Sequence, residues 1–525
     1  MTFQIYFVAL SSILLLAVAR LYRYSRLSAR PQGYPPGPKT AAFLGNLHQI
    51  PISRPQVAFA QFAQEFGAIT GLKLGRQNLI ILNTWQAVRD LVEQKGAIYS
   101  SRPSNPVANI VTPNHENPIL SPYGDLWRGQ RKKIIEFLGG ERTDNLKPVQ
   151  DAESTQMIYD MMKRSEEFEH HVDRSYGAAI LATVYGLRGK TMDAGGKLDS
   201  FFKVEAQWSE ALGATASPPL NSFPFLESVP DWLTPWRGWK EGAADVKREQ
   251  QRVYGGLLAD TRARLARGKG SDCFLASCFK TQEDDGVDDS TLSYIAGALL
   301  EGGAETSASS TMVFIMAMAA YPHILTEAQE EVDRVCGPLR VPGRDDISKL
   351  PYIRACMLEI LRWRPITPLA VPHQTTAADT YGELSIPPDT TVIINTWRIN
   401  HDESLYDRPG VFNPSRYMQS EQGSGPNGEA AKGHRASYTF GAGRRVCPGQ
   451  RFAENSMTMH FAKLVWAFNI KRTGSLPTDG WDGWTDGLVI RPKDLNVSFQ
   501  LRDEGREKVI EKAWVQANTF LQRFE

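Results

Sequence analysis

Phe440-Gly-Ala-Gly-Arg-Arg-Val-Cys447-Pro-Gly449 is the stretch on which the reading of this 525-residue chain turns. Gly441, Gly443 and Gly449 surround one cysteine, let the backbone pass close to a flat ligand, and leave amide N–H groups free to point at the sulfur. Such hydrogen bonds lower the basicity of a thiolate and tune a metal attached to it. The helical run after Cys447 opens with free N–H groups, which also favour an anionic sulfur. Arg445 supplies a cation two residues before the cysteine, suited to a carboxylate of a bound cofactor. Phe440 is placed to cover the sulfur and keep water out. The plain alternative is a buried structural cysteine in a Gly-rich turn.

Outward from this loop, other groups of residues fit the same site. Gly302-Gly303-Ala304-Glu305-Thr306-Ser307 lies inside an apolar run, 290–320, that reads as one long helix through the core. Asp288-Asp289-Ser290 opens it and Tyr321-Pro322 closes it. Two glycines inside a helix cost about 1 kcal/mol each against alanine, so they need a reason. They permit a local kink and a close approach of backbone to a ligand. Glu305 and Thr306 then offer a carboxyl and a hydroxyl for relaying protons. Trp127-Arg-Gly-Gln-Arg131 sets an indole N–H and a guanidinium four apart on one helical face. Both are donors only, which suits a carboxylate; alone, the pair reads as a core Trp beside a surface Arg. Glu359-Ile-Leu-Arg362 places an acid and a base three apart on a helix, which taken alone is an ordinary solvated pair.

Phe440-x-x-Gly443-x-Arg445-x-Cys447-x-Gly449 resembles the haem-binding signature of the cytochrome P-450 family. The resemblance runs from Pro35 to about Leu501 with its motifs in the expected order. It implies a mainly α fold with a smaller β region and haem b (iron protoporphyrin IX) as cofactor. Cys447 would be the axial ligand of the haem iron. Trp127, Arg131, Arg445 and, after Pro372, His373 would touch the haem propionates. Glu305-Thr306 resembles the family's acid–alcohol pair, which delivers protons to dioxygen. Glu359 and Arg362, with Arg416 from Phe412-Asn-Pro414-Ser-Arg416-Tyr417, resemble a buried network that serves folding and haem loading. The substrate pocket would draw on residues 105–122, 294–306, 366–371 and 485–489. The implied activity is a monooxygenase that puts one oxygen atom from O2 into an apolar small molecule, by hydroxylation or a multi-step oxidation. Electrons would come from NADPH through a membrane-bound reductase carrying FAD and FMN. Val446-Cys-Pro-Gly-Gln-Arg-Phe-Ala-Glu-Asn455 resembles fungal microsomal members that tailor secondary metabolites.

The bulk properties agree. A net charge of +1 gives no support to nucleic-acid binding. Five cysteines in so long a chain argue against a disulfide framework. Residues 3–19 are uncharged and apolar, and Arg20, Arg23, Arg26 and Arg30 follow at once. No positive charge precedes the run, as a cleaved signal would require. Residues 1–22 are therefore expected to form a single N-terminal transmembrane anchor, with the catalytic domain on the cytosolic face of the endoplasmic reticulum membrane. Residues 23–40 read as a basic, Pro-rich hinge, and 41–525 as one haem-binding catalytic domain. Helical spacing is clearest at 127–138, 146–162, 201–212 and 244–265; strands are expected at 69–74, 78–82, 391–396 and 495–501. A Gly/Ser/Glu loop is expected at 420–433, and an apolar lip that meets the membrane at 217–239.

No dinucleotide or flavin fingerprint occurs, so electrons must come from a partner. Arg128, Lys132, Lys133, Arg444 and Arg451 are candidates for a basic face that an acidic reductase would meet. Two other functions share part of this pattern: a hydroperoxide isomerase or dehydratase that needs no reductase, and a non-catalytic haem-binding protein. The uninterrupted cysteine loop and Glu305-Thr306 weigh against both.

Overall fold

A computed structural model of the chain describes residues 2–213, 215–424 and 433–525, so most of the loop expected at 420–433 lies outside the described residues. The helices begin with α1 (Thr2–Leu27), α2 (Pro55–Phe66), α3 (Trp85–Ala87), α4 (Pro106–Val111), α5 (Asp125–Leu138) and α6 (Lys147–Lys163). Then come α7 (Phe168–Tyr185), α8 (Lys197–Ala211), α9 (Trp239–Ala266), α10 (Phe274–Asp285) and α11 (Asp289–Ala320). The last are α12 (Pro322–Cys336), α13 (Pro351–Trp363), α14 (Thr396–Asn400), α15 (Ser415–Gln419), α16 (Gln450–Ala467) and α17 (Glu504–Leu521).

The strands are short: β1 (Ile69–Leu74), β2 (Gln77–Leu82), β3 (His373–Gln374), β4 (Asp379–Tyr381), β5 (Leu384–Ile386), β6 (Thr391–Ile394), β7 (Phe468–Arg472) and β8 (Val497–Leu501). Four of them form a mixed sheet in the order β1-β2-β6-β3, and β4-β5 and β7-β8 are separate ladders. Register sets His373 opposite Val392 at the sheet edge. The fold is mainly α with small sheets, as expected.

The axis of the core is α11. Its Asp288 cap accepts a 2.8 Å hydrogen bond from the Thr291 amide, and Tyr321-Pro322 ends it because the residue before a proline avoids helical backbone. From Met312 to Met318 every side chain is buried, packed among residues of α6, α7, α12, α13 and α16. A helix apolar on all sides has no other stable place.

Three features add to or differ from the sequence reading. First, α11 is helical throughout Gly302-Gly303, where the glycines permit a local kink. A Cβ on Gly303 would lie 2.5 Å from the Ile180 side chain of α7, while one on Gly302 would meet nothing within 4 Å. Gly303 is thus a close-packing residue between two helices, and Gly302 leaves open space on the helix. Second, α7 and α10 lie in the stretch 121–321 that reads mostly as helices from the sequence, although apolar spacing is clearest elsewhere; α7 is buried on nearly every side and so has no polar stripe to mark its period. Third, the strand expected to Thr396 stops at Ile394, because the Asn395 side chain caps α14 by accepting from the Arg398 amide at 3.1 Å.

At the N-terminus α1 continues to Leu27, into the expected hinge. Among the described residues no single helix is long and apolar enough to cross a membrane. The Tyr24 ring, near the end of α1, lies 6.1–6.3 Å from the rings of Phe43, Phe223 and Phe225. In the expected apolar lip, Phe225 is 59%, Trp232 69% and Leu233 60% exposed, whereas Phe223 is buried.

Candidate active site

The cysteine loop is a tight turn fixed by backbone. The Cys447 amide donates to the Phe440 carbonyl at 2.8 Å, and the Val446 amide to that of Gly443 at 3.2 Å. Gly443 has φ +60°, and a Cβ there would stand 2.3 Å from the Val92 carbonyl oxygen. Its close approach is therefore to protein backbone. Gly449, which precedes α16, has φ −92°, and its Cβ would sit 3.9 Å from the Cys447 sulfur in ordinary contact. Two substitutions should separate these roles. Gly443→Ala carries both the left-handed backbone penalty of about 1–2 kcal/mol and the clash, and is expected to strip bound cofactor from purified protein. Gly449→Ala is expected to keep it, and pigment absorbance per protein measures the difference.

All five cysteines are unpaired. Burial raises the pKa of the Cys447 thiol, while the Gly449 amide and Arg131 pull it down. Cys447 therefore has a donor and a cation ready for a thiolate, in a site dry enough that a metal cation is the natural further stabiliser. Phe440 contributes its carbonyl to the loop.

Arg131 and Trp127 both come from α5. Arg131 Nη2 donates to the Val446 carbonyl, its Nε is buried without a partner, and burial lowers its pKa against the pull of Cys447. The Arg445 guanidinium lies 4.0 Å from the centre of the buried Trp127 ring. It donates to the carbonyls of Ser100, Pro118 and Ser121 at 2.7, 3.3 and 2.6 Å. Burial, then repulsion from Arg102 and Arg131, pushes its pKa down to about 8.

Arg102 is a member that sequence reasoning missed. It donates to the carbonyls of Ile119 at 3.0 Å and of Val371 and Pro372 at 2.7 Å each, and burial pushes its pKa down to about 9. It stands alone in Ser100-Ser-Arg-Pro103, with no partner at helical spacing to mark it.

His373 is buried, and its Nδ1 lies 2.8 Å from the Tyr99 carbonyl, so Nδ1 carries the hydrogen. Burial and the nearby Arg102 push its pKa down to about 3. The expected basic side chain is thus a neutral imidazole whose Nε2 is an acceptor. Among the described residues no carboxylate pairs with Arg102, Arg131 or Arg445. Three guanidiniums, those of Arg102 and Arg445 buried and that of Arg131 half-buried, repel one another and have no acid among them; they fit a dianionic cofactor, and haem brings two propionates.

On the other side, α11 presents Glu305 and Thr306. Thr306 Oγ1 donates to the Gly302 carbonyl at 2.7 Å. Glu305 is half-buried; burial raises its pKa, Arg491 lowers it, and Asp173 raises it. Arg491 in turn bonds both Asp173 oxygens at 3.3 Å and Glu169 at 3.4 Å. The two residues diverge by about 100° around the helix. No hydrogen bond joins them in the structure, and Glu305 is coupled to α7 through Arg491 instead.

Of the pocket segments expected from sequence, 294–306 touches 105–122, and 366–371 is bonded by the residue just after 485–489. Tyr294 Oη donates to the Val111 carbonyl at 2.9 Å, and the Ile490 amide to Ile366 at 2.8 Å. The network of Glu359, Arg362 and Arg416 is fully formed and buried. Arg362 holds Glu359 through Nε and Nη2 at 2.7 Å each, and Arg416 Nε reaches it at 3.1 Å.

The expected basic face is corrected by its pairing. Arg128 is paired with Asp125, Lys133 with Asp285, Lys132 with Glu136 at 3.9 Å and Arg451 with Asp144 at 2.6 Å. Arg444 is exposed and bonds the Tyr123 hydroxyl, with no carboxylate partner among the described residues. Four of these five cations are offset by their own acids, which weakens a one-signed field.

A family model described as Cytochrome P-450 matches residues 35–499. Cytochrome P-450 monooxygenase fogE of Aspergillus ruber is 33% identical over 96% of this chain and 94% of its own length. A cytochrome P-450 monooxygenase of Armillaria gallica is 32% identical over 100% and 99%. Cytochrome P-450 monooxygenase patI of Penicillium expansum is 31% identical over 98% of each chain. The thiolate loop, the acid-free guanidinium set and this likeness along the chain place it in the cytochrome P-450 family, as a haem-iron monooxygenase that uses dioxygen.

Proposed function

We propose that this monooxygenase oxidises a small molecule in fungal secondary metabolite biosynthesis, with Cys447 as the axial ligand of haem iron. The observation that carries the ligand assignment is the Cys447 sulfur beside the Gly449 amide and Arg131, next to three guanidiniums with no acid of their own. Arg102, Arg131 and Arg445 would hold the propionates, with the Trp127 indole as a further donor. His373 joins them if the propionate charge draws a second proton onto Nε2. When bound, haem supplies the iron chemistry that activates dioxygen.

The chain's own residues do the rest. Burial raises the pKa of Glu305 and so keeps it available as a proton carrier, within reach of the charge of Arg491. The Thr306 hydroxyl would donate a proton once turned from the Gly302 carbonyl. Thr306→Ala and Glu305→Gln are each expected to cut product formation about a hundredfold while NADPH is still consumed. Hydrogen peroxide release per NADPH checks this, and unchanged coupling would contradict it.

Electrons come from NADPH through a membrane-bound reductase, docking on the cysteine side where Arg444 is exposed with no carboxylate partner among the described residues. The catalytic domain faces the cytosol from the endoplasmic reticulum membrane, anchored by α1. The exposed Phe225, Trp232 and Leu233, on the segment that meets Tyr24 of α1, support a lip in the lipid interface.

The test is to delete the gene and feed the accumulating compound to haem-loaded protein with reductase, NADPH and isotopically heavy dioxygen. One heavy oxygen atom in the product is expected. Product formed from peroxide or hydroperoxide with no reductase, and without heavy oxygen, would overturn the reading in favour of an isomerase or dehydratase.

A further inference from the structure

One turn before Glu305 on α11, Glu301 is 6% exposed. Its Oε1 accepts from Tyr254 Oη of α9 at 2.7 Å, and its Oε2 from Asn117 Nδ2 at 3.3 Å. From α8, Glu205 approaches closely enough to feel the charge of both Glu301 and Glu305, and its Oε2 has neither solvent nor a hydrogen-bond partner. Among the described residues no Lys, Arg or His pairs with Glu205 or Glu301. Burial, joined by mutual repulsion, raises both carboxyl pKa values.

Two more buried polar groups stand in the same region without partners. Tyr185 Oη, at the end of α7, is fully buried and close to Glu301. Gln250, one turn before Tyr254 on α9, is 0% exposed, and neither end of its amide is bonded. Each such group costs folding free energy when left unpaired, so several together on converging helices point to a polar occupant. The acids do not form a metal-binding group among the described residues. The set lacks cations and is rich in acceptors, which selects a donor that is also positively charged. Glu301 directly precedes Gly302, whose Cβ position is open, on the helix that also carries Thr306.

We propose that Glu301 and Glu205, framed by Gln250 and Tyr185, bind a basic nitrogen, so that the substrate has an apolar body with an amine- or guanidine-type head. This rests on the monooxygenase reading only in calling the ligand a substrate; the charge recognition is a property of the pocket. It adds a basic head to the apolar small molecule expected from sequence.

Haem-loaded full-length protein would be titrated with octylguanidine and with octylurea, which match in shape and differ in charge. Calorimetry reads affinity, and the haem spin-state band reports entry into the pocket. Octylguanidine is expected to bind at least about tenfold tighter, and Glu301→Gln or Glu205→Gln to remove most of that preference. An unaltered carbon-monoxide difference spectrum shows that each variant is folded and loaded. Equal affinity for the two probes, no binding of either at millimolar concentration, or a preference unchanged in both variants would overturn the proposal. Loss of the thiolate-type spectrum in wild-type protein would instead count against the haem-thiolate reading, so the two failures are distinguishable.

Discussion

Arg362→Ala is expected to destabilise the chain by about 3–5 kcal/mol and to leave little protein able to carry haem. Glu359 and Arg362 are both 0% exposed. Glu359 is held by two bonds from Arg362, one from Arg416, and the Asn413 amide at 2.8 Å. Arg362 also donates to the carbonyls of Asn400 and Pro409 at 2.9 and 2.8 Å. Removing it leaves a buried carboxylate half-compensated and strands these acceptors, each loss larger than an exposed ion pair would bring. The segment stitched to α13 in this way leads from α14 through α15 toward the cysteine loop, so loosening it lets the loop drift. Arg416→Ala removes one 3.1 Å bond to Glu359 and should cost less. Thermal inactivation of the loaded protein and haem per polypeptide give the order; equal melting of Arg362→Ala and wild type would contradict it.

The second large effect is expected at Arg445. Its alanine variant should release haem about 10–100-fold faster, since a hydrogen bond from a charged group contributes about 1.5–3 kcal/mol. The loss has two parts. A cation leaves the acid-free set, and three carbonyls, of Ser100, Pro118 and Ser121, lose their donor at once. Those carbonyls fix the chain on either side of α4, which forms one wall of the pocket. Arg445→Lys keeps a charge but cannot fan out to three acceptors or lie flat on Trp127, so it should fall in between. Transfer of haem to apomyoglobin measures the rate, and rates equal across wild type and both variants would refute the assignment.

What could be read from sequence was what short spacing encodes. Phe440 to Gly449 is a local turn, Glu359 and Arg362 are three apart on one helix, and α11 announces itself by length and its Asp288 cap. What escaped depends on contacts between distant segments. Arg102 earns its place from carbonyls at Ile119 and Pro372, and nothing beside it in the chain foretells them. Glu205 and Glu301 come within electrostatic reach of each other only because the fold brings α8 toward α11. Gly303 left a kink open because composition cannot distinguish a bent helix from one pressed against Ile180. The lowered pKa of His373 was not legible for the same reason: it follows from burial beside Arg102. The basic residues near Cys447 seemed a docking field until their acids, Asp285 and Asp144 among them, appeared across the fold.

The central claim is that Cys447 is the haem ligand, and the reduced carbon-monoxide difference spectrum tests it most directly. Wild-type protein should give the thiolate-type band. Cys447→Ser should lose that band while Cys356→Ser, a buried core cysteine on α13, keeps it. A thiolate-type band that survives in Cys447→Ser would contradict the account.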